Sequence, residues 1–130
     1  RDRVLENVKE QSFYLFDRLL ELKQKHTCIS DVRGRGLLIG MELIKDCERD
    51  ILFNPSEKAA ETLNVIAMEL GAVFYPGTGS IDGINGEHLI ISPPLNVTKK
   101  EIEEIVSILD ESLSIFEGQF RKDEAYEIAK

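Results

Sequence analysis

The sequence predicts an α+β domain: a small, largely antiparallel sheet with helices packed on one of its faces. Three observations predict it. Three segments carry apolar residues at helical spacing, so each has one stripe to bury. Short strand-like runs lie between them. The stripes need a common surface to cover, and a small sheet supplies one. The 130 residues are one domain's worth of chain. Apolar residues make up 42% and charged residues 31%, the balance of a folded domain and not of a disordered tail.

The first helix comes from Val4, Val8, Leu15, Leu19 and Leu22, which repeat every three or four residues along one face. Phe13, Tyr14 and Phe16 widen the apolar surface, so this helix reads as contacted on two sides. It should fade near Lys25–Thr27. A short strand at Ile29–Val32 is a further candidate. The span D-V-R-G-R-G-L (Asp31–Leu37) then leads into a longer strand, Leu37–Ile44. Leu37, Ile39, Met41 and Leu43 share one face of it; Leu38, Gly40, Glu42 and Ile44 share the other.

The second helix opens at Asn54, with Pro55 at the first helical position and Glu57 three residues after the cap. Ala59, Ala60, Leu63, Ile66, Ala67 and Leu70 form its stripe, and Gly71 ends it. Ala72–Tyr75 is a short apolar strand. The span Y-P-G-T-G-S-I-D-G-I-N-G-E-H (Tyr75–His88) is too long for a tight hairpin and reads as a functional loop. His88–Ser92 is the last strand, stopped by Pro93 and Pro94. Thr98 and Glu101 form a T-x-x-E capping box that starts the third helix, whose core face is Ile102, Ile105, Val106, Leu109, Leu113 and Phe116. Gly118 reads as its stop. Residues 1–118 therefore form the domain, and 119–130 a charged tail, either a short helix or a loose segment.

Several chemistries are excluded. With 24 acidic and 16 basic side chains the net charge is −8, the wrong sign for a nucleic-acid or anionic-membrane surface. No apolar run approaches the ~20 residues that span a bilayer. The N-terminus is charged and amphipathic, unlike a signal peptide. Cys28 and Cys47 read as two unpaired thiols, which points to a reducing cytoplasm. His26 and His88 have no second ligand at metal spacing, so no metal site is expected. Neither histidine lies near a nucleophile elbow. The G-T-G-S of the loop lacks the G-K-[ST] of a nucleotide cradle. Arg33 and Arg35 have the chemistry to grip a carboxylate or phosphate, but arginines at a strand entrance more often pair with acidic neighbours. Glu42 reads as a partner for such a pair, and the E-I-E-E stretch as a solvated helix face. His88 stands between the loop and a buried strand, where an imidazole can face a cleft.

The spans V-R-G-R-G-L-L-I-G-M-E-L, G-A-V-F-Y-P-G and H-L-I-I-S-P-P-L-N-V-T-K-K-E-I-E-E-I-V, in that order, resemble the C-terminal small domain of class III aminotransferases. The similarity runs from about Val4 to Phe116, and the glycine-rich loop looks like the omega-amino-acid or diamine type. The resemblance implies an α+β small domain that packs on a large cofactor domain in a homodimer. It implies pyridoxal phosphate as cofactor in the parent enzyme, held covalently by a lysine of the large domain, and transfer of an amino group between an amine or amino acid and a keto acid. The chain opens on Arg1 with its first residues already in helical register, so it reads as a fragment of that parent.

The cofactor lysine belongs upstream of Arg1, so this fragment alone is expected to be inactive, with no catalytic or cofactor-binding residue of its own. Its part is to cover the active-site cleft and help select substrate. Ornithine-type relatives carry an arginine where Ile90 stands, and pyruvate-dependent omega relatives carry one near Pro76 and Gly77. With both absent, either the substrate carboxylate is read elsewhere or the loop residues Tyr75, Thr78 and His88 do the reading. Two rivals stand beside this: a stand-alone α+β ligand-binding module, and a dimerisation domain built on the two-sided first helix.

Overall fold

A computed structural model describes residues 2–79, 83 and 85–129. Helix α1 (Asp2–Lys25) is followed by strands β1 (Ile29–Arg35) and β2 (Leu38–Leu43), helix α2 (Ala59–Leu70), strands β3 (Tyr75–Thr78) and β4 (Glu87–Ile91), and helix α3 (Lys99–Ala129). The four strands form one antiparallel sheet in the order β1-β2-β4-β3. This is the α+β architecture that the sequence predicts.

All three helices cover one face of the sheet. Leu15, Leu19 and Leu22 of α1, Leu63 and Ala67 of α2, and Ile102, Val106, Leu109 and Leu113 of α3 are buried there. They meet Val32, Ile39, Met41, Leu43, Leu89 and Ile91 from the inner face of the strands. The period-2 alternation of β2 and the period-3.6 stripes of the helices thus converge on one core. Val4 of the first stripe is largely exposed, and Gln11 takes a buried place in that face instead.

Four elements differ from the expected layout. The first glycine span is a hairpin, not a linker. β1 runs through Arg33, Gly34 and Arg35 and pairs along β2, with Gly34 opposite Ile39. A Cβ on Gly34 would lie 2.8 Å from the Leu38 carbonyl oxygen and 2.9 Å from the Ile39 Cα, so only glycine lets the two backbones close. The capping box at Asn54 is formed, with Ser56 N–H donating to the Asn54 side chain at 3.0 Å and Asn54 N–H to Glu57 at 2.9 Å, but it caps a separate 3-10 turn, Pro55–Glu57. Lys58 then takes a left-handed conformation, and α2 begins only at Ala59.

The third strand begins at Tyr75 and not at Ala72, because its ladder partners on β4 start opposite Tyr75. Gly79 N–H donates to the Gly86 carbonyl at 2.9 Å, so the hairpin narrows well inside the Tyr75–His88 span. Ser80, Ile81, Asp82 and Ile84 of that loop lie outside the described residues. Finally, α3 does not stop at Gly118. Phe120, one turn on from Phe116, stacks edge-on against Phe53 at 5.5 Å and against Phe116 at 5.3 Å, and this aromatic contact carries the helix past the glycine.

Candidate functional site

The opposite face of the sheet is left bare by the helices. On β4 the burial alternates, with Glu87, Leu89 and Ile91 inward and His88 and Ile90 outward. Antiparallel partners share a face, so the register assigns the outer surface. One row runs Arg33, Gly40, Ile90, Tyr75; the next runs Asp31, Glu42, His88, Gly77. An open concavity of about 330 Å³ lies on this surface, lined by Arg33, Leu38, Gly40, Glu42, His88 and Ile90. Leu38 is 59% exposed and Tyr75 61%.

The three residues that the sequence singled out are therefore divided. Tyr75 and His88 share the outer surface on adjacent strands. Thr78 is paired with Glu87, so it sits on the other face at the edge of the sheet. His88 lies flat across Gly77: any Cβ there would collide with the imidazole Nε2 and Cε1 atoms. The glycine thus seats the ring, and the ring's Nδ1 is buried with no hydrogen-bond partner among the described residues.

Charge on this face is organised around Arg33. Its guanidinium reaches Asp31 at 3.0 Å and also bonds Glu42, the residue directly across from His88. The arginine is spoken for by two carboxylates, as the structural reading of that motif expects. Its exposure limits the stabilisation to about 0–1 kcal/mol per pair, so the network orients side chains more than it holds the sheet.

Sequence reasoning missed Glu87. This carboxyl is only 3% exposed and points inward, where one oxygen accepts from the Ala59 N–H at 2.9 Å and so caps α2 in place of a local side chain. Burial pushes its pKa up, against the pull of the Ala59 and Ala60 amides. The signal was present: in E-H-L-I-I an acidic residue occupies the same parity as Leu89 and Ile91. Leu38 was also legible as an outward position but not as a wall of a concavity, which only the β2–β4 register creates.

Two general chemistries find no support among the described residues. No group of three or more His, Cys, Asp or Glu is arranged to hold a metal ion. No helix is long and apolar enough to cross a membrane.

A family model described as "Aminotransferase class-III" matches residues 1–113. The chain belongs to that family. It is 36% identical over 114 residues to an uncharacterized aminotransferase of Schizosaccharomyces pombe, a similarity covering 88% of this chain and 25% of that protein. It is 37% identical over 116 residues to the mitochondrial alanine–glyoxylate aminotransferase 2 homolog 2 of Arabidopsis thaliana, covering 88% of this chain and 22% of that one. Among solved structures, a transaminase from the marine bacterium Virgibacillus superposes with a TM-score of 0.83 at 24% identity, over 92% of this chain and 26% of that chain; it shares the fold. The chain thus spans about a quarter of the length of the curated relatives it matches.

Pyridoxal phosphate needs a lysine for its covalent seat. The outer concavity offers Arg33, Glu42 and His88 but no lysine. Lys45 pairs with Glu57 at 3.0 Å, and Lys99 lies 4.6 Å above the Tyr14 ring. These residues do not fit the cofactor.

Proposed function

We propose that this chain is the C-terminal small domain of a pyridoxal-phosphate-dependent class III aminotransferase, a homodimer that moves an amino group between an amine or amino acid and a keto acid. In that enzyme the rest of the polypeptide supplies the cofactor and the chemistry. This domain supplies a wall: the bare sheet face lies over the cleft, with Tyr75 and His88 turned toward the substrate.

The observation that carries this reading is the unequal treatment of the two sheet faces. One face buries a complete core under three helices. The other leaves exposed Leu38 and half-buried Ile90 on an open concavity with Arg33, Glu42 and His88, and Tyr75 exposed beside it in the row of Ile90, a mixture of apolar and polar groups usual in a small-molecule wall. Arg33 is neutralised by Asp31 and Glu42, which leaves the apolar residues and the imidazole to discriminate among substrates. Thr78, on the other face, lies outside this wall.

The test is kinetic, in the full-length enzyme. Tyr75→Ala and His88→Ala should change the ratio of kcat/KM between a small and a bulky amine by roughly tenfold, the scale of a few lost contacts in a pocket. Unchanged amine preference and an unchanged rate in both variants would remove the reading.

A further inference from the structure

His26 is only 3% exposed, at the point where α1 hands over to β1. Both of its ring nitrogens face carboxylates of α3. Nε2 lies 2.6 Å from Asp110, and Nδ1 bonds Glu117. A neutral imidazole carries one donor and one acceptor, and an ionised carboxylate can only accept. One of the two contacts would then set a lone pair against an oxygen.

We propose that His26 is held as the doubly protonated imidazolium, a proton-dependent clasp that ties the end of α1 to the distal half of α3. Each ring N–H donates to one carboxylate. The surroundings complete the arrangement from every side. Lys25 of α1 reaches Asp110 at 2.8 Å. Thr27 of the following turn donates to Glu117 at 3.2 Å, and Arg121 of α3 reaches both Glu117 at 3.3 Å and the Thr27 hydroxyl at 2.6 Å. The buried Cys28 thiol adjoins the cluster and is pushed toward its neutral form, by burial first and then by the Glu117 charge. Around the ring stand two anions and two further cations, which already balance, so it is the pair of direct contacts to Asp110 and Glu117, and not a deficit of positive charge, that calls for the second ring proton. The clasp lies on the helix side of the sheet, apart from the outer concavity, and is independent of the substrate reading.

A histidine that keeps its second proton on folding adds stability below the pH at which the unfolded residue titrates, ordinarily about 6.5. That stability is lost once the ring gives up its second proton. At the acid end the clasp fails for a different reason, because the carboxylates take up protons. Asp110 resists this: burial raises its pKa, but the Lys25 and His26 contacts outweigh burial and hold it below the ordinary range.

The experiment is a long-range ¹H–¹⁵N spectrum of the full-length enzyme with ¹⁵N-labelled histidine at pH 7.5, the His26 signals being assigned by their loss in His26→Gln. Two protonated ring nitrogens are expected at His26; one unprotonated nitrogen would overturn the proposal. A second measurement follows the unfolding temperature of wild type and His26→Gln from pH 6.5 to 9. The wild-type advantage should be roughly 3–8 °C at the lower pH and shrink toward zero at the higher. An advantage that stays constant with pH would mean that the ring is only packing, and would overturn the proposal as well. If His26→Gln does not fold, Glu117→Gln serves: its spectrum should lose the second ring proton at a lower pH than wild type, and an unchanged titration would again refute the clasp.

Discussion

Gly34→Ala tests the physical reason for the R-G-R-G span. The added Cβ would sit 2.8 Å from the Leu38 carbonyl oxygen, 2.8 Å from Ile39 Cγ1 and 2.9 Å from Ile39 Cα. Two of those three atoms are backbone, so no side-chain rotation relieves the contact. β1 must move away from β2 by several tenths of an ångström, and the ladder from Ile29 to Arg35 must yield with it. Forcing a methyl into such a place costs about 1–3 kcal/mol, and the rigidity of the obstacle puts this site at about 3. Gly40→Ala is the control, since its nearest atom is the Arg33 carbonyl oxygen at an ordinary 3.7 Å. That change should be neutral or slightly stabilising, because glycine is a poor strand residue. Urea unfolding of both variants checks it. With a slope of about 1.5 kcal/mol/M, the Gly34→Ala midpoint should fall by about 2 M and the Gly40→Ala midpoint should hardly move. Equal midpoints would refute close approach as the function of Gly34.

Gly118→Ala should stabilise the chain by about 0.5–1 kcal/mol, since α3 runs through it and a Cβ there meets nothing within 4 Å; a loss of stability by thermal melting would restore the glycine as a helix stop. Glu87→Ala should cost about 1–3 kcal/mol by uncapping α2. Because the Glu87 pKa is raised by burial, wild-type stability should fall relative to Glu87→Gln as pH climbs from about 4 to 7; a gap that widens in favour of wild type would mean that the cap is strongest when charged.

Helix signals in the sequence were the most legible, because they are local. The Thr98–Glu101 box forms as read, with Thr98 N–H donating to Glu101 at 3.1 Å and Glu101 N–H donating back to Thr98 at 3.2 Å. Gly71 ends α2 with φ near 108°, and its amide bonds the Met68 carbonyl at 3.1 Å. The errors arose where tertiary contacts outweighed a local cue. Gly118 looked like a stop because the packing of Phe120 on Phe53 is not visible in sequence. Tyr75 looked like the end of a strand because its pairing with Ile90 depends on register. His26 looked like a lone histidine, since its partners are Asp110 and Glu117, far along the chain. For the site, alternation in β2 set Leu38, Gly40 and Glu42 apart from Leu37, Ile39, Met41 and Leu43, while the outward places of His88 and Ile90 came only with the structure. What the sequence could not give was their assembly: Glu42 opposite His88, and His88 across Gly77, are products of the β1-β2-β4-β3 order.

The bare sheet face is proposed to be covered in the full-length enzyme. Leu38→Lys addresses it directly, with the unfolding temperature measured both for this chain and for the full-length holoenzyme. Leu38 is exposed here, so the chain alone should change by no more than about 0.5 kcal/mol. In the full-length protein the same substitution should lower stability by about 2 kcal/mol or more, the cost of stranding a charge in place of a buried leucine. An equally small effect in both would contradict the claim that this face is the wall against which the rest of the enzyme closes.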